Sequence, residues 1–214
     1  MGKIMRSYRA FTTAGYRILA LYLIPFGFLV LSVLLVRVSV EREIVYFAEM
    51  ILLVSYLVFY EVIVDYWVFG GLLGRGGENL ALFKTSTRGL AFLGRAVAGD
   101  CLRRFCWLMI YAGVMSAVTG DAYNFVILLI AYVTVTGILN LSRHLQILQF
   151  HILCVLAAVI IWVTFVVFLK FLAEAAGTWM LVAELVLFSF LAVAVSGMSV
   201  WHFLYCMRRE KDDQ

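Results

Sequence analysis

Long apolar stretches alternate with short polar segments along this chain, and six of them cover most of its length. A helix needs about 20 residues to cross the hydrocarbon core of a bilayer. All of the stretches are long enough except the third, which must begin within the preceding loop to reach that length. The pattern therefore predicts six transmembrane helices. The stretches cover residues 18–36, 44–69, 105–118, 123–141, 145–169 and 178–207.

Composition excludes the main alternatives to a helical membrane protein. With 65% hydrophobic residues, 14% charged residues and a mean hydropathy of +1.02, the chain lacks the polar side chains that a soluble domain needs. Strands of a membrane barrel alternate in polarity, whereas residues 126–135 are apolar on all sides. The apolar run after Arg17 is too long for a removable signal peptide. We therefore expect an all-α integral membrane protein with one transmembrane domain over residues 1–214.

The positions of the basic residues predict the orientation of the chain in the membrane. Of the 17 Lys and Arg residues, all except Arg37, Arg42 and Lys170 fall in the termini or in every second gap between the stretches. By the positive-inside rule, both termini and the loop of residues 70–104 are cytoplasmic. We expect a multi-pass protein of the cell membrane, with basic residues that contact membrane lipids and no role in nucleic-acid binding.

The N-terminal segment has the pattern of a surface helix. Ile4, Tyr8 and Phe11 recur at helical spacing, and Arg6 and Arg9 lie on another face. This pattern predicts a basic amphipathic helix that lies in the membrane interface. A plain positively charged anchor for the first span is the alternative interpretation.

The loop of residues 70–104 has internal structure of its own. It opens with a glycine-rich break, and residues 78–84 then read as a short helix with an acid at its start and a base at its end. The turn at residues 85–87 supplies an N-cap for a second helix that runs from Arg88 into the third span. Two helices and a turn predict a protruding elbow, whose apolar side chains need a partner, the membrane surface or the ends of neighbouring spans to cover them. These side chains are Leu80, Leu82 and Phe83.

In this arrangement the chain resembles the type-2 ABC transporter permeases, six-span exporter subunits that work with a separate cytoplasmic ATPase. The likeness covers nearly the whole length: an interfacial N-terminal helix, six spans, both ends inside, and the main cytoplasmic loop between spans two and three. Locally, residues 78–95 are similar to the family's coupling helix, its Ser/Thr turn and the apolar-apolar-Gly-basic step into span three. Thr85 and Ser86 stand where many members have a proline before the hydroxyl residue.

The resemblance implies a function in export. The chain would form the translocation path for an amphipathic or hydrophobic substrate, such as a peptide, a lipid-linked molecule or a drug, with a second copy or a homologue. It would not be an enzyme and would bind no cofactor, because it has no Gly-Lys-Ser/Thr phosphate loop. ATP and Mg would bind the partner ATP-binding cassette ATPase. The expected ATPase-coupling residues are Arg75, Glu78, Leu80, Leu82, Phe83, Lys84 and Arg88.

Ionisable residues within the apolar stretches suggest a different function, that of a proton-coupled carrier. Glu61 and Asp65 are four residues apart and share one face of the second span, as a relay pair would. Against this function, no basic partner is evident at the depth of Glu61, and Pro25 is the only proline, so broken helix pairs are missing. The polar residues that could line a path are Glu49, Glu61, Asp65 and Glu184.

Two further classes of protein stay open. His151 with Glu184, or Asn140 with Arg143 and His144, would form the site of a membrane-embedded enzyme, although no repeated His motif, paired Asp motif or Gly-x-Ser-x-Gly elbow supports it. The cysteines lack metal-site spacing, so no metal is expected. A structural or assembly subunit is the last alternative.

Overall fold

The structure, a computed structural model, describes residues 2–38, 60–65, 68–69, 86–145 and 177–212. Within these residues the chain is helical apart from short turns and contains no strand, as the apolar pattern predicts. The elements are α1 (Gly2–Ala10), α2 (Ala14–Ile18), a π-helical turn (Leu19–Leu23), α3 (Ile24–Val38), α4 (Glu61–Asp65), α5 (Thr87–Thr119), α6 (Asn124–Leu145) and α7 (Thr178–Asp212).

Three helical runs in the described ranges are long and apolar enough to cross a membrane. They are Ala14–Arg37, Arg88–Thr119 and Thr178–Tyr205, and a shorter apolar helix covers Asn124–Asn140. Large apolar side chains point outward from these runs, including Phe190, which is 71% exposed. An apolar outer surface suits lipid and not water. The helices therefore fit the predicted membrane protein.

The first of these runs changes its helical pitch just before Pro25. Leu19–Leu23 is π-helical, and the Ile24 N–H donates to the Leu19 carbonyl. Proline has no N–H, and its ring crowds the carbonyl four residues before it, so an ordinary α-turn is disfavoured there. The wider turn lets the helix continue across Pro25 without a break.

α5 is the central helix of the described bundle, because α1, α3, α6 and α7 all contact it. Ser86 is its N-cap, and the Ser86 hydroxyl accepts a hydrogen bond from the Gly89 N–H at 3.3 Å. The helix start predicted from the Ser/Thr turn is thereby confirmed. Leu93, Val97 and Leu108 of α5 are buried in the core.

The start of α5 confirms one expectation from the sequence and corrects another. The chain is helical from Thr87 onward, so the helix expected to run from Arg88 into the third apolar stretch is present, and it begins within the predicted loop of residues 70–104. The expectation that Arg103 and Arg104 are charges of a cytoplasmic loop is wrong, because both lie inside α5 and are buried. Neither arginine therefore remains in water at the end of a helix.

A short polar turn leads from α5 back to α6. Gly120 ends α5 in the left-handed conformation (φ 73°), which glycine adopts without strain. The Asp121 carboxylate accepts a hydrogen bond from the Tyr123 N–H at 2.8 Å, and the Asn124 side chain donates to the Thr119 hydroxyl at 2.9 Å. Since the turn is short and the two helices pack together, α5 and α6 form a helical hairpin.

The predicted N-terminal helix is present, and its apolar face packs on α5. Tyr8 is fully buried, and a Cβ placed on Gly99 would lie only 2.8 Å from the Cβ of Tyr8. The two helices therefore touch at a position where α5 has no side chain. Just after α1, the Phe11 ring packs against Phe92 of α5 with 5.5 Å between the ring centroids.

Candidate functional site

Three charged residues on one face of α5 form the centre of the candidate site. Asp100, Arg103 and Arg104 are three and four residues apart, so they project from the same side of the helix. Their exposed fractions are 0%, 5% and 1%. Charged groups this deeply buried need partners of opposite sign, and each of the three has one.

The fourth charge of the site comes from α4. Glu61 is 1% exposed, and its carboxylate accepts hydrogen bonds from both arginines. Arg103 donates to both oxygens: its Nη1 lies 3.1 Å from Oε1, and its Nη2 bonds Oε2. Arg104 Nε donates to Oε2 at 3.0 Å. One carboxylate on α4 thus bridges two guanidinium groups on α5.

Asp100 and a threonine complete the site. Asp100 Oδ1 accepts from Arg103 Nε at 3.3 Å and from Arg103 Nη2 at 3.2 Å, and Asp100 Oδ2 accepts from Arg104 Nη2 at 2.6 Å. The Thr136 hydroxyl of α6 accepts from Arg104 Nη1 at 3.1 Å. Two carboxylates and two guanidinium groups give a formally neutral cluster. The term ion network is used below for Glu61, Asp100, Arg103 and Arg104.

The ion network fastens helices together and adds little net stability. The free-energy cost of removing the ions from water offsets most of their mutual attraction. An intact buried ion pair therefore contributes little to stability compared with apolar packing. Removing one partner is different, because the charge that remains is buried and uncompensated, at a cost of about 3–5 kcal/mol. Through Thr136 the fastening extends to α6, so α4, α5 and α6 are difficult to separate.

A second set of polar contacts joins the same helices to α7. The Tyr132 hydroxyl of α6 lies 2.6 Å from the Ser196 hydroxyl of α7 and donates to the Cys101 carbonyl of α5 at 3.3 Å. Phe105 packs edge-on against the Tyr132 ring, with the centroids 5.4 Å apart. These contacts begin one residue after Asp100, so α7 is attached to the bundle beside the ion network.

Aromatic side chains lie around the ion network on the side of α1. Tyr8 is within electrostatic range of Arg103 and Asp100, and Tyr16 and Tyr60 are within range of Arg103. Burial raises the pKa of the Tyr8 hydroxyl well above its ordinary value, while Arg103 acts in the opposite direction. The Tyr8 side chain is therefore neutral at physiological pH.

Some of the residues predicted to line a path or to contact an ATPase lie within the described part of the chain, and the others lie outside it. Glu61 belongs to the ion network, whereas Asp65 is buried one turn later on α4. Glu184 is buried on α7, where its near neighbour is Tyr123 and neither carboxylate oxygen makes a hydrogen bond of ordinary geometry within the described residues. Arg88 is exposed at the start of α5. Outside the described residues lie Glu49, Arg75, Glu78, Leu80, Leu82, Phe83, Lys84 and His151.

The partners of Glu61 were not predicted. The premise that no basic residue lies at its depth was wrong, because Arg103 and Arg104 pair with it. A signal was present in the spacing of Asp100, Arg103 and Arg104, which is that of a helix face directly before an apolar run. The positive-inside rule places basic residues at the ends of spans, so it assigns Arg103 and Arg104 to the loop and does not indicate that they pair with Glu61.

No group of three or more His, Cys, Asp or Glu side chains in the described ranges could hold a metal ion. Comparisons with protein-family models, with curated proteins and with solved structures give no match to this chain. The functional interpretation therefore depends on the geometry of the ion network and on the sequence.

Proposed function

We propose that this chain is the transmembrane subunit of an ATP-driven exporter in the cell membrane, with six spans, cytoplasmic termini and a separate ATP-binding cassette ATPase as its partner. The observation that supports the proposal is the ion network. It joins Glu61, in the second predicted span, to Arg103 and Arg104 in the third. Two spans joined in this way can move as one body.

Both ends of the predicted elbow are attached to the described helices. On one side, Phe69 is fully buried and packs against Phe11 and Phe203, with ring centroids 6.3 and 6.4 Å apart. On the other side, the chain enters α5 at the Ser86 N-cap. Residues 78–84 therefore connect two anchored points. A displacement of the elbow would move α4 and α5 together and would not be absorbed between them.

In this mechanism, closure of the partner ATPase on ATP and Mg pushes the elbow. Leu80 and Phe83 are the apolar anchors in a cleft of the ATPase, and Arg75, Lys84 and Arg88 form the charged rim of the contact. A second copy of the chain, or a homologue, lines the other half of the path. The apolar character of the spans suits an amphipathic or hydrophobic substrate.

The geometry of Glu61 weighs against the alternative of a proton-coupled carrier. A relay carboxylate must face a cavity that water or substrate can enter. Glu61 is 1% exposed, and both of its oxygens accept hydrogen bonds from guanidinium groups. These hydrogen bonds hold α4 and α5 together.

Co-purification and ATP turnover test the proposal. The tagged chain, extracted from its native membrane in mild detergent, is expected to bring with it an ATP-binding cassette ATPase and to hydrolyse no ATP alone. Phe83→Ala should weaken the complex about 30-fold or more, since a buried aromatic anchor contributes about 2 kcal/mol. The matched control is Phe190→Ala, because Phe190 is 71% exposed on the outer face of α7.

Transport in inside-out vesicles separates the exporter from the carrier. Uptake of an amphipathic fluorescent dye should require ATP and should fall in Phe83→Ala but not in Phe190→Ala. Dye uptake driven by a proton gradient without ATP, or ATP turnover by the isolated chain, would reject the exporter.

A further inference from the structure

We infer that α1 and the adjoining turn of α5 form a binding surface for anionic phospholipid headgroups. The surface, named the basic patch here, has four exposed cationic side chains on two helices that pack against each other. Its residues are Lys3, Arg6, Arg9 and Arg95. This inference does not depend on the exporter, because it uses only the position and charge of these two helices.

The length of α5 places α1 at the membrane boundary. α5 has 33 residues and is about 50 Å long, whereas the hydrocarbon core is about 30 Å thick. Residues 100–119 rise about 30 Å and end at the polar turn around Asp121. If that turn lies at one surface, Gly99 lies at the other. Tyr8 packs on Gly99, so α1 lies at the level of the headgroups.

The connection from α1 to the first span keeps the helix at this level. α1 ends at Ala10, and the first candidate span begins at Ala14. A turn of so few residues does not allow α1 to move far from the bilayer surface. The apolar side chains Ile4, Met5 and Tyr8 are partly or fully buried and α1 packs on α5, so the exposed side that faces the headgroups is the basic one.

Among the side chains that the structure describes, no exposed acid lies beside this surface to balance its charge. Lys3, Arg6 and Arg9 are exposed on α1, whereas Ser7 and Tyr8 are buried on its other side. Arg95 lies one turn before Gly99, the residue of α5 that α1 contacts, and is exposed.

The acidic side chains that the structure describes lie elsewhere. Glu61, Asp65, Asp100 and Glu184 are buried, and Asp121 lies at the opposite end of α5. Cations at headgroup level are complementary to anionic lipid, since each basic residue close to such a surface strengthens its attraction. A membrane lipid is therefore the occupant that the position and the charge both favour.

Native mass spectrometry of the purified full chain tests the basic patch. The protein is titrated with phosphatidylglycerol and with phosphatidylcholine of identical acyl chains, and the retained lipid is counted. We expect a preference for phosphatidylglycerol that falls about tenfold or more in the triple variant Lys3→Gln, Arg6→Gln, Arg9→Gln, and that weakens as ionic strength rises. The control is Arg37→Gln, an exposed basic residue at the other end of the first span, which should leave the preference unchanged.

Several results would overturn the inference. They are equal retention of the two lipids, an unchanged preference in the triple variant, and an equal loss of preference in Arg37→Gln. Displacement of the lipid by soluble glycerol phosphate at similar concentration would indicate a site for free phosphate and would also reject a membrane surface. If the triple variant does not fold, as judged by its thermal midpoint, the double variant Arg9→Gln, Arg95→Gln gives the same comparison and must lose the preference in part.

Discussion

Replacing Glu61 by Gln should destabilise the protein strongly, although the two side chains have nearly the same shape. The substitution removes one negative charge from a cluster of two carboxylates and two guanidinium groups, so the buried site gains a net positive charge. Within the ion network, Arg103 and Arg104 would keep Asp100 as their one counter-ion. Leaving a buried charge uncompensated costs about 3–5 kcal/mol of the free energy of unfolding.

Thermal unfolding in detergent measures this loss. For a chain of this size, each kcal/mol lowers the midpoint by about 2–4 °C, so Glu61→Gln should lower it by about 6–20 °C. The matched control is Glu184→Gln. Glu184 is also a buried carboxylate, but it forms no ion pair within the described part of the chain. Its replacement should leave the midpoint unchanged or raise it, because it removes a buried charge and breaks no ion pair among the described residues.

A charge-balanced double variant completes the test. Glu61→Gln combined with Arg103→Met leaves Asp100 and Arg104, one charge of each sign, and should be less destabilised than the sum of the two single variants. The reasoning fails if Glu61→Gln stays within about 1 kcal/mol of the native protein, if Glu184→Gln is equally damaging, or if the double variant is simply additive.

Two smaller perturbations address the packing around the ion network. Tyr132→Phe removes the hydroxyl that contacts α5 and α7, so it should lower the free energy of unfolding by about 1 kcal/mol, measured by thermal unfolding. The control is Tyr205→Phe, at a half-exposed tyrosine, which should have no effect. Equal effects of the two changes would contradict the assigned contacts. Gly99→Ala places a Cβ 2.8 Å from the Tyr8 Cβ, so it should lower the free energy of unfolding by about 1–3 kcal/mol and expose α1 to protease. The control is Gly113→Ala, where a Cβ would meet no described atom within 4 Å, and it should be neutral or stabilising by up to about 1 kcal/mol. Protection of α1 in Gly99→Ala would show that Tyr8 is not seated there.

The sequence predicts the class of fold because apolar length and composition leave few alternatives. The start of α5 was also predictable, since a hydroxyl residue before a helical run is a local N-cap signal, and Ser86 provides it. The N-terminal helix followed from the spacing of Ile4, Tyr8 and Phe11. Each of these features depends on residues that are close together in the chain.

The ion network could not be predicted in the same way, because it depends on tertiary packing. Glu61 and Arg103 are 42 residues apart, so the spacing of charges on α5 indicates a polar helix face but does not identify its partner on α4. Charge counting assumes that basic residues remain in water at the ends of spans. Pairing with Glu61 and Asp100 neutralises the charges of Arg103 and Arg104. Both arginines can therefore lie buried inside α5, although the positive-inside rule assigns them to a loop.

The separation of Glu61 from its partners also imposes an order on biogenesis. At typical rates of synthesis, 42 residues take the ribosome roughly 2 to 8 seconds, so the carboxylate reaches the membrane well before the arginines. A lone charge within the bilayer is costly. The second predicted span should therefore wait beside the insertion machinery until α5 arrives, and the two should enter the lipid as a pair. On this reasoning, the pairing of Glu61 with Arg103 and Arg104 would set the moment at which the second predicted span leaves the insertion machinery.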